Sequence, residues 1–385
     1  MSERPLVVWD GLLVRSQPTG VGRSILELAR AMSACDRGLE FAVLATHPEM
    51  FSFLAGLSHW QVWPCPPARG GVLRKALFTQ ITLPRLLKRR RAHLLHCLQF
   101  VVPWRCPCPV VTTVHDLGYL HYPHTVEQPR RFYYRLAVPR SLGKSARIVT
   151  NSAATAREVS ETFPGIGSRV TATPFGTPSW VYRHQPQLQE RPLDAPFLFV
   201  GTLEPRKNVD GLLTAYELFL RDCRRQGGAE PPDLVLVGGQ GWRDSRLRGQ
   251  IAALQRKGKL RLAGYCQTET LWDWYCSARA LLFPSLHEGF GFPILEAMAA
   301  GLPVLTARRG AMQEVAGDAA VLVDPADPAD IAAGLTMIHS QSDLRSRLVA
   351  AGQERIRVWN WDRTAAATVA VYEEILGKVK DRNQK

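Results

Sequence analysis

Between Glu49 and Asp116 the chain contains no acidic residue. Nine basic ones fall there instead: Arg69, Arg74, Lys75, Arg85, Lys88, Arg89, Arg90, Arg91 and Arg105. The imbalance extends over residues 1–190, which hold 23 Lys and Arg against 11 Asp and Glu, a balance of +12. The remaining residues hold 25 against 23 and are nearly neutral. A field of that sign favours an anionic partner: nucleic acid, an acidic membrane surface or a phosphorylated substrate. No aromatic stacking array or recognisable nucleic-acid module accompanies the charge, so nucleic acid is not the expected partner. No apolar run approaches the roughly 18 residues of a spanning helix, and the start, MSERPLVVWDG, has no signal-peptide core. The eight cysteines are scattered without a CxxC pair, and Cys106-Pro-Cys108 has neither metal-ligand nor thioredoxin spacing. Asp-x-Asp metal motifs are absent too. A reduced cytoplasm is the expected setting.

What is present is globular. Hydrophobic residues make up 46% and charged residues 21% of 385 positions, too many for one compact core of ordinary size. Two domains are expected, residues 1–180 and 181–364, with a terminal helix in 365–385. The boundary falls in the irregular passage that holds Pro174, Pro178, Pro186, Pro192 and Pro196. Short apolar strands alternate with helices on both sides of it. Strands are expected at 6–10, 41–46, 93–98, 110–114 and 147–150, then at 197–200, 233–239, 260–265, 280–283, 303–306 and 320–323. That alternation specifies an α/β fold with a parallel sheet in each half.

The most informative stretch runs from Leu282 to Gly301. A strand stops at Pro284, a loop carries Glu288, Gly289, Phe290 and Gly291, and Pro293 opens a helix that Gly301 ends. The glycines and the proline exclude one continuous helix, so Glu288 belongs to a tight loop and Glu296 to the first turn of the helix. Backbone amides and a positive helix terminus between them suit phosphate or sugar hydroxyls. The plainer reading is a strand, a turn and a helix with two solvated acids. Against it stands the position, just beyond a strand end, where open α/β sheets bind ligands.

Other segments invite similar pairs of readings. Thr19-Gly20-Val21-Gly22-Arg23 precedes a helix, so its backbone N–H groups suit phosphate or merely form a turn. Arg206 and Lys207 follow the strand at 197–200; they are surface charges or, on such a loop, reach a diphosphate. The basic helix expected over 72–91, split or kinked at Pro84, presents either a solvated face or a docking surface. The same helix also carries Leu73, Leu77, Phe78, Ile81, Leu86 and Leu87. Ser152 reads as a helix cap, as does Thr268, and DPADPAD at 324–330 as a turn with a cap rather than a metal triad.

The string E-G-F-G-x-P-x-x-E-A-M-A-x-G-x-P-V, from Glu288 to Val304, resembles the Glu-x7-Glu signature of the family 4 retaining glycosyltransferases. The resemblance spans nearly the whole chain and is strongest from Phe197 to Pro325. It implies the GT-B fold, two Rossmann-like domains with parallel sheets facing a central cleft, and a last helix that returns to the first domain. The donor would sit mainly on the second domain and the acceptor on the first. Glu288 would lie by the donor sugar, and Glu296 would hold the ribose hydroxyls. Gly20 and Gly22 match a loop facing the donor diphosphate and the acceptor. T-x-H-D-L at 113–117 matches a catalytic-site histidine, His115, with Asp116 placed to orient its ring or the acceptor. Arg206 and Lys207 match the phosphate-binding pair, although Thr202 stands where many members carry arginine. The backbone of Gly264, Tyr265 and Cys266 would hold the base, and the amides of Gly289–Gly291 would help with the diphosphate.

The implied reaction moves a sugar from a nucleotide-sugar to an acceptor hydroxyl with retention, without a cofactor or a metal. The leaving phosphate takes the acceptor proton, and domain closure gates the step. GDP-mannose is the favoured donor, from the Gly201–Asn208 and T-x-H-D-L strings, with UDP-glucose and dTDP-rhamnose left open. The expected acceptor is a glycan, most simply lipid-linked, reached by a peripheral enzyme on an anionic inner-membrane surface. A silent glycan-binding scaffold of the same fold is the rival reading.

Overall fold

The computed structural model describes residues 4–18, 20–35, 37–65, 74, 76–123, 128–186, 188, 191–227, 230–239, 241 and 245–383. Thr19, Arg69, Leu73 and Lys75, named above, lie outside them. The chain divides into two compact units, Met1–Gly176 with Asn360–Lys385, and Thr177–Trp359.

The first unit is built on seven parallel strands: β1 (Leu6–Asp10), β2 (Glu40–Ala45), β3 (Trp60–Pro64), β4 (Leu94–Cys97), β5 (Val110–Val114), β6 (Arg147–Thr150) and β7 (Val170–Ala172). Their order is β3-β2-β1-β4-β5-β6-β7. Strands β4 and β5 are buried along their whole length, as strands covered by helices on both faces must be. The order reverses between β1 and β4, which makes that junction the switch point of a doubly wound sheet. Strands β3 and β7 have no counterpart in the sequence reading. The first mixes exposed Gln61 and Pro64 with its aromatics, and the second is three half-buried residues, so neither carries an apolar run.

The basic helix keeps its path through Pro84 by widening. Phe78–Thr82 forms a π turn, and Leu83–Arg89 continues as an α-helix with the proline in its first turn. A proline removes one i→i−4 donor and crowds that carbonyl, and the wider turn makes room. Its buried side is Leu83 and Leu87, while Leu77 and Ile81 are 49% and 41% exposed.

The last helix, Trp361–Asn383, belongs to this first unit and packs on helix Gly20–Ser33. It is fastened through a buried polar chain. Tyr372 Oη lies 2.5 Å from His96 Nδ1, and His96 Nε2 lies 2.8 Å from Thr113 Oγ1. The Trp9 ring meets the imidazole edge-on.

The second unit has six parallel strands: β8 (Phe197–Val200), β9 (Leu234–Val237), β10 (Leu260–Gly264), β11 (Ala280–Phe283), β12 (Val304–Ala307) and β13 (Val321–Val323). Their order, β10-β9-β8-β11-β12-β13, puts a second switch point between β8 and β11. Phe197, Phe199, Leu212, Tyr216, Phe219 and Leu335 are among the residues that fill its core. The capping expectations divide. Ser152 Oγ accepts from Thr155 N at 3.0 Å, and Asp327 accepts from Ala329 N at 2.8 Å. Thr268 instead lies inside helix Thr268–Ser277, whose cap is Gln267 and has no side-chain bond.

Full burial pushes the His96 imidazole down to a pKa of about 3 from 6.5, with nearby His115 adding to the effect. The unfolded imidazole takes its proton near pH 6.5 and the folded one only near pH 3. Stability from this group is therefore complete above pH 6.5 and is lost as pH falls towards 3. The slope is about 1.4 kcal/mol per pH unit. His96→Gln should remove about that slope between pH 6 and 5 in urea titrations, and an unchanged slope would place the acid sensitivity elsewhere.

Candidate active site

At the second switch point the loop after β8 makes one tight turn, Pro205–Lys207, and ends at Asn208 in the left-handed region, φ 57°. Asparagine tolerates that conformation better than most residues. Its side chain is buried and donates from Nδ2 to Pro284 O at 3.0 Å and to Pro325 O at 2.6 Å. One amide thus ties the loop after β8 to those after β11 and β13. A backbone bond from Leu286 N to Arg206 O, 2.8 Å, adds a second tie.

These ties gather Arg206, Lys207 and Glu288. Glu288 Oε2 accepts from Arg206 Nη1 at 2.7 Å, and Oε1 accepts from Lys207 Nζ. Arg206 Nη2 also reaches Glu204 Oε1 at 2.7 Å, and Lys207 Nζ sits 4.9 Å over the Phe283 ring. Burial alone would push the Glu288 carboxyl up. Lys207 and then Arg206 overcome it and hold the carboxyl down at about 2, so it stays ionised. Burial lowers the Lys207 pKa, opposed by Glu288. A carboxylate has about four lone-pair sites, so Glu288 still has acceptor capacity for hydroxyl groups. The group as a whole matches a ligand that combines an anion with hydroxyls.

Beyond Glu288, Gly291 takes φ 108°, a region that excludes side chains, and opens helix Phe292–Ala299. Glu296 is the fifth residue of that helix. The sequence reading had placed it in the first turn, but the helix starts at Phe292, one residue before the proline. Its carboxylate is buried and accepts from Tyr275 Oη at 2.7 Å. Phe290 packs edge-on against Phe292 and Trp359 and is buried, so its ring supports the loop from within. Gly264, Tyr265 and Cys266 follow an irregular pairing of β10 with β9 that turns the chain at Gly264, φ 71°. Tyr265 is 56% exposed there. The neighbouring loop comes close through glycine, since a Cβ on Gly238 would lie 2.0 Å from Gly201 O.

In the first unit, Gly20 starts the helix after β1, and Gly22 is buried in its first turn, where a Cβ would lie 3.1 Å from Pro18. His115 follows β5 and is buried, with Nε2 3.1 Å from Leu98 O. Burial lowers its pKa, which favours the neutral ring. Asp116 does not orient that ring by a hydrogen bond; its Oδ1 accepts from Gly118 N at 2.8 Å and starts the turn Gly118–His121.

Asp10 and Tyr275 escaped the sequence reading. Asp10, at the tip of β1 and buried, accepts from Gln99 Nε2 at 2.5 Å across the first switch point, which fixes the segment carrying Leu98 O. Tyr275 supports Glu296. An acid ending a buried strand was the available signal for Asp10, and a tyrosine on the apolar face of its helix hid Tyr275.

Two doubly wound parallel units, the second with paired cations and a buried carboxylate at its switch point, define an α/β protein of the GT-B class. The solved structure of WaaG, described as a glycosyltransferase involved in lipopolysaccharide biosynthesis, matches with a TM-score of 0.67 at 17% identity. The match covers 96% of this chain and 99% of that one. The profile of group 1 glycosyl transferases matches residues 183–355, and that of Glycosyltransferase Family 4 matches residues 18–177. O-antigen chain mannosyltransferase B of Escherichia coli is 31% identical over 294 residues, 74% of this chain and 76% of that protein. D-inositol 3-phosphate glycosyltransferase of Thermobispora bispora is 30% identical over 291 residues, 70% and 66% of the two chains. The chain belongs to the glycosyltransferases of family 4, group 1.

Removing one partner from a buried ion group leaves an uncompensated charge, at a cost of about 3–5 kcal/mol. Glu288→Ala should therefore destabilise the second unit by that order. Glu288→Gln combined with Lys207→Met should recover most of the loss. Amide exchange in β8 and β11 is the measurement; equal protection in wild type and Glu288→Ala would reject the coupling.

Proposed function

We propose that this glycosyltransferase transfers mannose from GDP-mannose, with retention, to a hydroxyl of a lipid-linked glycan. One observation carries the reading: Arg206, Lys207 and Glu288 share a buried site at the switch point of the second sheet. In the proposed step the bond from the anomeric carbon to the diphosphate breaks. The acceptor oxygen bonds to that carbon on the same face, and the acceptor proton passes to the leaving phosphate. Arg206 and Lys207 take up the charge gathering on the diphosphate, work that a metal ion performs elsewhere. Glu288 and His115 hold sugar hydroxyls, Glu296 holds the ribose, and the backbone at Gly20, Gly22, Gly264–Cys266 and Gly289–Gly291 receives the phosphates and the base. The mannosyl assignment draws on the E. coli relative.

The lipid-linked acceptor rests on the surface of the first unit. Arg74, Arg85, Lys88, Arg89 and Arg105 are exposed. Beside them Leu77, Ile81 and Trp104 are 49%, 41% and 50% exposed. Gln80 joins the two segments, accepting from Trp104 N at 2.9 Å and donating to Val102 O at 3.1 Å. Each basic residue near an anionic bilayer contributes about 1 kcal/mol, screened by salt. Among the described residues no helix is long and apolar enough to cross a membrane. The T. bispora relative favours a second reading, in which the acceptor is a phosphorylated polyol.

With the right donor and acceptor, Glu288→Gln should lower kcat far more than it weakens nucleotide binding, and Glu296→Ala should mainly raise the donor KM. Lys207→Ala should cost about 2.7–4 kcal/mol in the transition state, and activity should survive EDTA. Near-normal kinetics in all three variants would reject the site, and full restoration by Mg²⁺ after chelation would reject the role of the cations. A thermal-shift screen of GDP, UDP, dTDP and ADP identifies the donor class, since the bound nucleotide raises Tm by mass action.

Sedimentation with anionic vesicles should fall steeply with salt, and again when Arg85, Lys88 and Arg89 become Ser. Arg90 is spared because it packs over the Trp63 ring, 5.0 Å away. No vesicle binding at low salt assigns the soluble acceptor.

A further inference from the structure

Four of the eight cysteines, Cys65, Cys97, Cys106 and Cys108, gather at one apolar cluster of the first unit. Cys97 lies in β4 and is buried, so it serves there as a small apolar side chain. Cys106 and Cys108 differ from it. They sit half-buried in the connection from β4 to β5, on either side of the exposed Pro107. The chain bends at Pro107 and Cys108, and the two Sγ atoms lie 3.8 Å apart in hydrogen-bonding contact. The spacing is not that of thioredoxin, yet the fold sets thiol against thiol.

That contact makes the two sulfurs unequal. The hydrogen bond with Cys108 lowers the Cys106 pKa against the effect of burial. The same bond, and then burial, raises that of Cys108. Burial pushes Cys65 up to about 11 and Cys97 well up, with Asp10 adding to both. The thiolate is the nucleophile of disulfide exchange, so Cys106 is prepared to attack and Cys108 stands beside it to follow.

We propose that Cys106 and Cys108 form a reversible dithiol–disulfide site that reacts with low-molecular-weight disulfides. The Cys106 thiolate attacks one sulfur of the small disulfide, whose S–S bond breaks and releases one small thiolate. Cys108 then gives its proton to solvent and attacks the Cys106 sulfur, expelling the second small thiolate. Two protein thiols are oxidised to one disulfide, and the small disulfide is reduced to two thiols. The sulfurs must close from 3.8 Å to the roughly 2 Å of an S–S bond. The connection is tied on both sides of the pair. Val102 N donates to Ser141 Oγ at 3.1 Å and Trp104 N to Gln80 Oε1 at 2.9 Å, while Pro109 O accepts from Leu95 N at 3.0 Å. The adjustment therefore falls on residues 105–108, and the pairing of β4 with β5 survives it.

The test exposes the intact, fully reduced chain to oxidised glutathione and follows the cysteine peptides by alkylation and mass spectrometry. Wild type should form the Cys106–Cys108 disulfide, dithiothreitol should restore both thiols, and amide exchange in β4 and β5 should be the same in the two states. Cys108→Ser should stop at a mixed disulfide of Cys106 with glutathione. Cys106→Ser should leave Cys108 reacting at least tenfold more slowly than Cys106 does in wild type. Phenylarsine oxide, which bridges neighbouring thiols, should be retained by wild type and lost from either variant; the wild-type measurement needs no substituted chain to fold. A stable mixed disulfide in wild type, equal reactivity of the two cysteines, or loss of protection in β4 and β5 on oxidation would each overturn the proposal. The pair would then be apolar packing only.

Discussion

Glu288 is a carboxylate buried between two cations, and much of the second unit is arranged to make that tolerable. A charge taken out of water is costly unless its partners are fixed in good geometry. Here the loops that carry the charges are fixed by a buried side-chain amide and a backbone bond. Asn208 adopts a left-handed turn so that its amide binds two loops at once, and Leu286 donates to the carbonyl of Arg206. Arg206 is shared between Glu204 and Glu288, so the four side chains are balanced before any ligand arrives. An anion entering this site adds charge to a neutral group. Glu204 and Arg206 form the half-buried edge of that network.

The first unit is held together by side-chain hydrogen bonds. Its switch point is closed by Asp10 and Gln99, and its sheet is joined to the returning helix by His96 with Tyr372 and Thr113. The same segment after β4 receives His115 through Leu98 O and reaches helix Gln128–Lys144 through Val102 N, bonded to Ser141 Oγ at 3.1 Å. That segment carries Trp104 to the surface. A buried histidine, a strand tip and an exposed aromatic are thus fixed by one short stretch of chain. Its rigidity is polar in origin, which makes it sensitive to proton activity in a way an aliphatic core is not.

The alternation of elements and the α/β class were legible because strands buried on both faces leave runs such as VVTTV and ALLF, which have no other common use. Strands β3 and β7 left no such run, and helices Ser245–Arg256 and Ser342–Val358 are rich in charge that masks their buried stripe. At the site, Arg206, Lys207 and Glu288 were legible as types on the right loops. Their mutual pairing was not, because it depends on β8 and β11 being neighbours, a long-range fact. Glu296 was read one residue too early in its helix for a local reason: the helix begins before its proline. Tyr275 and Asp10 were missed because a buried polar group is visible only through the partner the fold brings to it.

The helix Phe292–Ala299 is short and is tied down at both ends. Eight residues span about 12 Å, enough to reach from the loop after β11 back past the sheet edge where β12 begins. Its start is set by a glycine at φ 108°, which no side chain could replace without strain, and its end by Gly301 at φ 68°. Between them only small or apolar side chains and Glu296 occur, and six of the eight residues are buried. A buried helix of this length gains little from its own hydrogen bonds, so its position is set by what holds its ends. Gly291 sets one end, and Arg191 and Gln353 hold carbonyls at the other.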